Sequence, residues 1–417
     1  MISWKSIFSY PDLRQKIFYT LGILIVVRLG THVAIPGIDT AKLASLFSGN
    51  DLLGLVNLFS GGALSNFSLF SMGIIPYINA SIIMQLLTIL MPQLKEMAEE
   101  GEVGRKKLAQ YIRYLTIGLG TLQALAVSLG FRDFLLPGVN SNFFIISSVV
   151  SLVAGTALVM WLGELISEKG IGNGASIIIF VGIISRLPAD LIQTATLIRG
   201  GVPVFAVLIL IASILLVIMS IVFIQEGQRR IPVQYAKRIV GNKMYGGQNT
   251  FIPLKINQGG VIPIIFASSL LMFPATITRF IPFLQGLSSA LTPGHLLYMS
   301  LFFVLIFFFT YFYTAITFNP VELANNIQKY GGFILGVRPG KPTAEYLEKI
   351  ITRLTFLGAM FLSLVAISPM VTANFTRVTS FAGLGGTALL IVVGVALDLV
   401  RQINTQLLNR SYEGIAQ

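Results

Sequence analysis

Ile74 and Ile78 lie four residues apart and so share one face of a helix. Ile178 and Ile179, Ile264 and Ile265, and Ile391 fall at comparable depths in three other apolar runs. Branched aliphatics converging from several helices form a constriction that dewets, holding back water and ions yet yielding to something bulky. Facing lipid or filling a core is the plainer role for any one of them. Conventional reactive groups are scarce. There is no cysteine, which removes disulfides, thiolate metal sites and thiol catalysis, and only His32 and His295 offer imidazole. The acidic residues sit in loops or at the ends of apolar runs, as with Glu164 and Asp398. Coupled transport uses ionisable groups inside the membrane; Arg28 and His32 lie in the first span and Arg113 near the inner end of the third, but no carboxylate occupies a span centre, which counts against it. GIGNG at 170–174 lacks the strand context of a nucleotide loop and is read as a turn opening a helix. No enzyme, cofactor or metal site is indicated.

The elements that must carry these isoleucines are membrane helices. The 417 residues are 54% hydrophobic and only 11% charged, with mean hydropathy +0.81, far too apolar for a soluble chain. Apolar runs near 17–35, 74–91, 108–129, 143–162, 175–198, 202–224, 260–277, 296–318, 354–370 and 382–397 give ten spans. They are longer than barrel strands and apolar all round, so the fold class is an all-α membrane protein. The first run is closed by no small-residue cleavage site and is expected to be retained. Of the 29 Lys and Arg, all but Arg28, Lys42, Arg132, Arg186, Arg199, Arg279 and Arg377 fall on the side shared with the amino end. That bias predicts cytoplasmic termini. Ten spans divide near Gly200 and Gly201 into halves 1–200 and 201–417. An odd number per half makes any repeat an inverted one. The repeat is inferred from counting, since no self-similarity stands out.

Leu52 to Leu94 contains no charged residue over 43 positions. Basic residues on both sides of the interval 17–94 require an even number of crossings, and the first span supplies one. Ile74 to Met91, with Pro76 in its first turn, supplies the other. Residues near 55–71, rich in Gly and Ser, are then expected to enter and remain on the outer side as a movable stopper or a packed external loop. Two cytoplasmic arms, 225–259 and 319–353, are long and basic. Beyond positive-inside bias, they are read as docking surfaces, for which a ribosome, coated in RNA phosphate, is one fitting partner.

At GIIPYINASIIMQLL (73–87), EKGIGNGASIIIF (168–180), QEGQRRIPVQYAKR (225–238), GGVIPIIFASSLLMFPATI (259–277) and GVRPGKPTAEYLEKIITRLT (336–355), the sequence closely resembles the SecY family, pore subunits of the bacterial protein-conducting channel. The likeness spans the whole chain. It implies two inverted five-helix halves around a central hourglass pore, an external plug, a hydrophobic ring and a lateral gate. It implies a non-enzymatic role in the plasma membrane, moving unfolded preproteins and releasing signal sequences and hydrophobic helices into the lipid bilayer. The implied partners are the small membrane subunits SecE and SecG, with the SecA ATPase motor or the ribosome as driver and no sequence-specific nucleic acid. Matched by motif, the ring would be Ile74, Ile78, Ala175, Ile179, Ile265 and Ile391, with Ala175 smaller than the aliphatic expected there. The plug would include Leu55, Phe59, Gly61, Gly62 and Phe67. Gln85, Thr88, Ser268 and Ser269 would be polar gate contacts, between the second and third spans and the seventh and eighth. Docking would fall to Arg229, Arg230, Lys237, Arg238, Lys243 and Arg338. The competing class is a small-solute uniporter with inverted repeats, which needs a polar site at mid-depth but no docking arms.

Overall fold

A computed structural model describes residues 10–40, 42–43, 57, 60–199, 203–235, 238–240, 243–245, 250–280, 295–376 and 386–413. Every expected span coincides with a helix. The first half runs α1 (Pro11–Gly30), α2 (Ile75–Leu90), the short α3 (Pro92–Glu99), α4 (Glu102–Gly130), α5 (Ser141–Lys169), and α6 (Gly174–Ile184) continued by α7 (Leu187–Arg199). The second half runs α8 (Val204–Glu226), α9 (Ile262–Phe280), α10 (Leu296–Thr317), α11 (Pro320–Lys329), α12 (Lys341–Thr376) and α13 (Gly386–Glu413). Among the described residues, seven spans are long and apolar enough to cross a membrane alone. The count is eight if α2 and α3, bent by 103° at the break between them, are taken as one span. The bend has a local cause: Met91 is extended at φ −109°, ψ 112°, as the residue before Pro92 must tend to be.

Helix contacts repeat between the halves. In the first, α1 packs on α5, α2 on α4, α4 on α5 and α5 on α6; in the second, α8 packs on α12, α9 on α10, α10 on α12 and α12 on α13. First meets fourth, second meets third, third meets fourth and fourth meets fifth in each set. The halves join along two seams, α6 against α13 and α9 against both α2 and α4. The chain is thus an all-α membrane bundle of two inverted five-helix halves, with one buried apolar cluster running through both.

The arms hold the strands. β1 (Gln228–Tyr235) pairs antiparallel with β4 (Thr250–Lys255) and with β5 (Gly332–Ile334), while β2 (Arg238–Val240) and β3 (Lys243–Tyr245) form a hairpin. What reads in the sequence as two arms is therefore one three-stranded sheet. Alternation decides its faces: Ile231, Val233, Leu254 and Ile334 are buried against Leu347, Ile350, Ile351 and Leu354 of α12, and Arg230 and Pro232 point away.

Candidate functional site

The isoleucines are positioned by four helix starts of two kinds. The turns GIIPYINAS (73–81) and GVIPIIFAS (260–268) share Gly, Ile, Pro, Ile, Ala and Ser at the same places. Both open on a glycine in left-handed backbone, Gly73 at φ 54° and Gly260 at φ 60°, where a side chain would be strained. Ile78 and Ile265 each follow five residues later. α6 and α13 start on Gly174 and Gly386, where a Cβ would run into the backbone carbonyls of Gly163 and Val365. Ile179 and Ile391 again follow five residues later. At 1.5 Å per residue, Ile179 and Ile391 lie about 7.5 Å into α6 and α13, whereas Ile78 and Ile265 lie about 4.5 Å into α2 and α9, which begin at Ile75 and Ile262. Because the halves are inverted, α2 and α13 start from one face of the membrane and α6 and α9 from the other. The four side chains converge from both directions into one cluster, with exposures of 7% for Ile78, 1% for Ile179, 5% for Ile265 and 0% for Ile391. Ile74 belongs to the same cluster, and Ala175 packs on it half-buried, one turn before Ile179. Bare Gly163 leaves room there for the δ1 carbons of Ile74 and Ile178. Such a plug of branched carbon offers no group to bind an ion and excludes water.

Against this cluster lies the compact, helix-free segment 60–74. Of the expected plug residues, Gly61, Gly62 and Phe67 are described, whereas Leu55 and Phe59 lie outside the described residues. Most of its described hydroxyls are spent on its own backbone, the exception being Ser68, whose buried Oγ has no partner. The hydroxyls of Ser60, Ser65 and Ser71 donate to the carbonyls of Asn57, Gly62 and Ser68, and Ser71 reaches Ala63 as well. The carbonyl of Phe67 accepts from the Ile35 N–H and the Leu69 N–H donates to Val33, a small ladder onto the chain leaving α1. Phe67 itself, at φ 42°, is fully buried between the rings of Phe131 and Phe144, each 5.7 Å away. Gly61 closes on α1 and α6. Its carbonyl accepts a 2.7 Å hydrogen bond from Arg28 Nη1, and a Cβ there would stand 3.0 Å from the Cα of Gly182 on α6.

The gate candidates behave differently. Thr88 donates to the Met84 carbonyl, Gln85 reaches Ser81 and Ser268 donates to Ile265, each within its own helix. Ser268 and Ser269 are buried and Gln85 and Thr88 half-buried. The seam of α2 with α9 is apolar, with Ile82, Ala267 and Leu271 in the shared cluster.

The docking candidates gather on the sheet and the turn beside it. Arg229 and Arg230 are exposed on β1, and the Arg230 guanidinium lies 4.8 Å from the Phe251 ring centre on β4. Arg338 is exposed in the turn before α12, its carbonyl accepting from the Thr343 hydroxyl. Arg238 and Lys243 open β2 and β3; Lys237 lies outside the described residues. Three long-range polar ties, two between helices and one from a helix to segment 60–74, were not foreseen from sequence. Arg113 on α4 grips Glu164 on α5 with two contacts of 2.9 and 2.8 Å. Arg401 on α13 donates to the Gln225 carbonyl and Glu226 at the end of α8. Arg28 is the third. The signal for all three was a charge inside or at the edge of an apolar run, which finds a partner because burial without one is costly.

The family model described as SecY matches residues 68–400. Among known proteins, protein translocase subunit SecY of Streptomyces galbus is 46% identical over 429 residues, covering 98% of each chain. That of Thermotoga maritima is 44% identical over 423 residues, covering 99% of this chain and 97% of its own. A solved structure of a protein-conducting channel matches with TM-score 0.65 at 18% identity, covering 94% of this chain and 92% of its own. A structure of a SecY protein whose plug domain stabilises the closed state and maintains a membrane seal matches at 0.64 and 20%, with the same coverage. Sec61 in the canine ribosome–channel complex from the endoplasmic reticulum matches at 0.62 and 16%, again covering 94% and 92%.

Proposed function

The chain belongs to the SecY family, and we propose that it conducts unfolded polypeptides across the bacterial plasma membrane and releases hydrophobic helices sideways into the bilayer. One observation carries this reading: four helices, two from each half, bring Ile78, Ile179, Ile265 and Ile391 into a single buried cluster. An apolar constriction of this kind blocks ions without binding the passenger, and it opens by small displacements between two rigid halves. Ile74 and Ala175 complete the ring of an hourglass pore. The segment 55–71 is the plug, packed above Ile179 through Gly61 and Gly182. Lateral release occurs at the seam of α2 and α4 with α9, where parting the helices exposes apolar side chains that a departing helix of about 20 residues can replace.

The role is non-enzymatic. Energy comes from partners docked on the cytoplasmic sheet, the SecA motor or the ribosome, with SecE and SecG as membrane subunits. Exposed Arg229, Arg230 and Arg338 supply the charge that phosphate-rich or acidic partners require. Both termini are cytoplasmic in this arrangement. The small-solute uniporter lacks support: the hydroxyls of Ser60, Ser65 and Ser71, which would have lined a solute site, bond to neighbouring carbonyls.

The test exploits the cysteine-free chain. A cysteine is placed at Ile78 or, as a control, at Val207 on α8. The two are equally buried, at 7% and 6%, but Val207 lies outside the central cluster. Crosslinking of an arrested, partly exported polypeptide at position 78 and not at 207 is expected. Equal crosslinking at both would remove the ring from the path.

A further inference from the structure

We infer that Arg28 is a positioning residue that latches the plug shut, through its hydrogen bond to the backbone carbonyl of Gly61. The inference rests on the plug reading above. Arg28 sits in the last turn of α1, within an apolar helix where a cation needs a reason to be. Its Nη1 donates 2.7 Å to Gly61 O, across 33 residues of chain. Gly61 is built to receive it. At φ 65°, followed by Gly62 at φ 88°, the turn takes a left-handed path, and a side chain on Gly61 would be pressed against the backbone of Gly182. The two glycine backbones therefore touch, Gly182 standing one turn outward of Ile179. The tip of the plug is held between α1 and α6 immediately above the seal.

Arg28, Gly61 and Gly182 also line a cavity of about 30 Å³ with Thr31, Ser60 and Ile178. It has room for about one water molecule. The plug is thus close to the frame but not packed solidly against it at this point, and the guanidinium supplies a directional tie where dispersion contact is incomplete. Because the acceptor is main chain, the latch asks of the plug sequence only that position 61 be glycine. A charge-assisted bond in a water-poor site is strong while it lasts and is lost as a unit when the plug shifts. Its loss is expected to raise the open population at rest by about tenfold.

The experiment measures resting ion conductance of the purified channel complex in planar bilayers, for wild type and Arg28→Leu. A second pair of proteins adds Ser60→Cys and Val181→Cys, which line the same cavity, joined by a short bis-thiol crosslinker. Arg28→Leu is expected to conduct about tenfold more at rest, and crosslinking the plug to α6 is expected to return it to the wild-type level. Wild-type conductance in Arg28→Leu overturns the latch. So does a raised conductance that crosslinking leaves unchanged, since Arg28 would then support the fold and not the plug. The crosslinked protein with Arg28 intact tests the plug itself: continued export through it would dismiss the plug reading, whatever Arg28 does.

Discussion

The connection from α1 to α2 and the connection from α8 to α9 occupy the same place in the two halves, and each ends in the same Gly-x-Ile-Pro turn. Their chemistry is opposite. The first has no charge from Leu52 onward and folds inward, its described hydroxyls mostly bonded to its own carbonyls. The second carries Arg229, Arg230, Lys237, Arg238, Lys243 and Lys255 and folds outward as a sheet that buries one face on α12. Inversion accounts for the divergence. Equivalent connections emerge on opposite sides of the membrane, so that in the proposed function one stops the pore while the other meets cytoplasmic partners. A segment buried without water must satisfy its own polar groups, whereas one in water can leave cations free for a visitor.

The helix starts test how far the halves are equivalent. Gly174→Val and Gly386→Val each force a side chain into a backbone carbonyl of the preceding helix. Each is expected to cost about 3 kcal/mol or to prevent accumulation of folded protein, read by thermal unfolding in detergent. If one is tolerated, the two crossings are alike in shape but not in energy.

The connections should respond in opposite ways to charge. The double substitution Arg229→Glu, Arg230→Glu is expected to weaken SecA or ribosome binding by about tenfold at low salt, the difference shrinking as salt screens the exposed charges. Resting conductance should not change. Neutral cores give the reverse pattern: Ile78→Ser and Ile265→Ser are each expected to raise resting conductance by about threefold, through hydration of the seal, and to leave partner binding intact. Unequal effects at 78 and 265 would show that the repeated turn does not give the two residues equal shares of the seal.

Much of this was legible in the sequence because lipid makes simple demands. Ten apolar runs, the charge bias and crossing parity place every span, and Pro76 fixes where α2 starts. The repeat was legible only as a count of spans; its trace in GIIPYINAS and GVIPIIFAS is nine residues long and gains meaning once both glycines are known to be left-handed. The sheet was hidden for a different reason. β1 and β5 are about a hundred residues apart, and a three-residue strand such as Gly332–Ile334 has no periodicity to read until its partner is known. Arg28 was visible as an intramembrane cation, yet its acceptor is a main-chain carbonyl, which carries no side-chain signature. Polar gate contacts were sought in hydroxyls that bond within their own helices, as Thr88 and Ser268 do, because a hydroxyl one turn from a carbonyl needs no partner across a seam.

The polar ties between helices offer the finest distinction between the halves, since shared packing does not require shared ion pairs. In the first half Arg113 and Glu164 join α4 to α5, with side-chain exposures of 46% and 19%. In the second half Arg401 and Glu226 join α13 to α8, at 30% and 54%. The acid is the shielded partner in one pair and the open partner in the other, and a carboxylate left in water loses most of its attraction to screening. Double-mutant cycles, Arg113→Met with Glu164→Gln and Arg401→Met with Glu226→Gln, are expected to give coupling of about 1 kcal/mol for the first pair and about 0.3 kcal/mol for the second. Arg401→Met alone should nevertheless cost more than its coupling to Glu226, because the same guanidinium donates to the Gln225 carbonyl near the end of α8, where a cation also meets the negative end of the helix. Unfolding midpoints of the six variants against wild type would check this. A larger coupling in the second pair would mean that geometry at the helix end, and not burial of the acid, sets the strength of these ties.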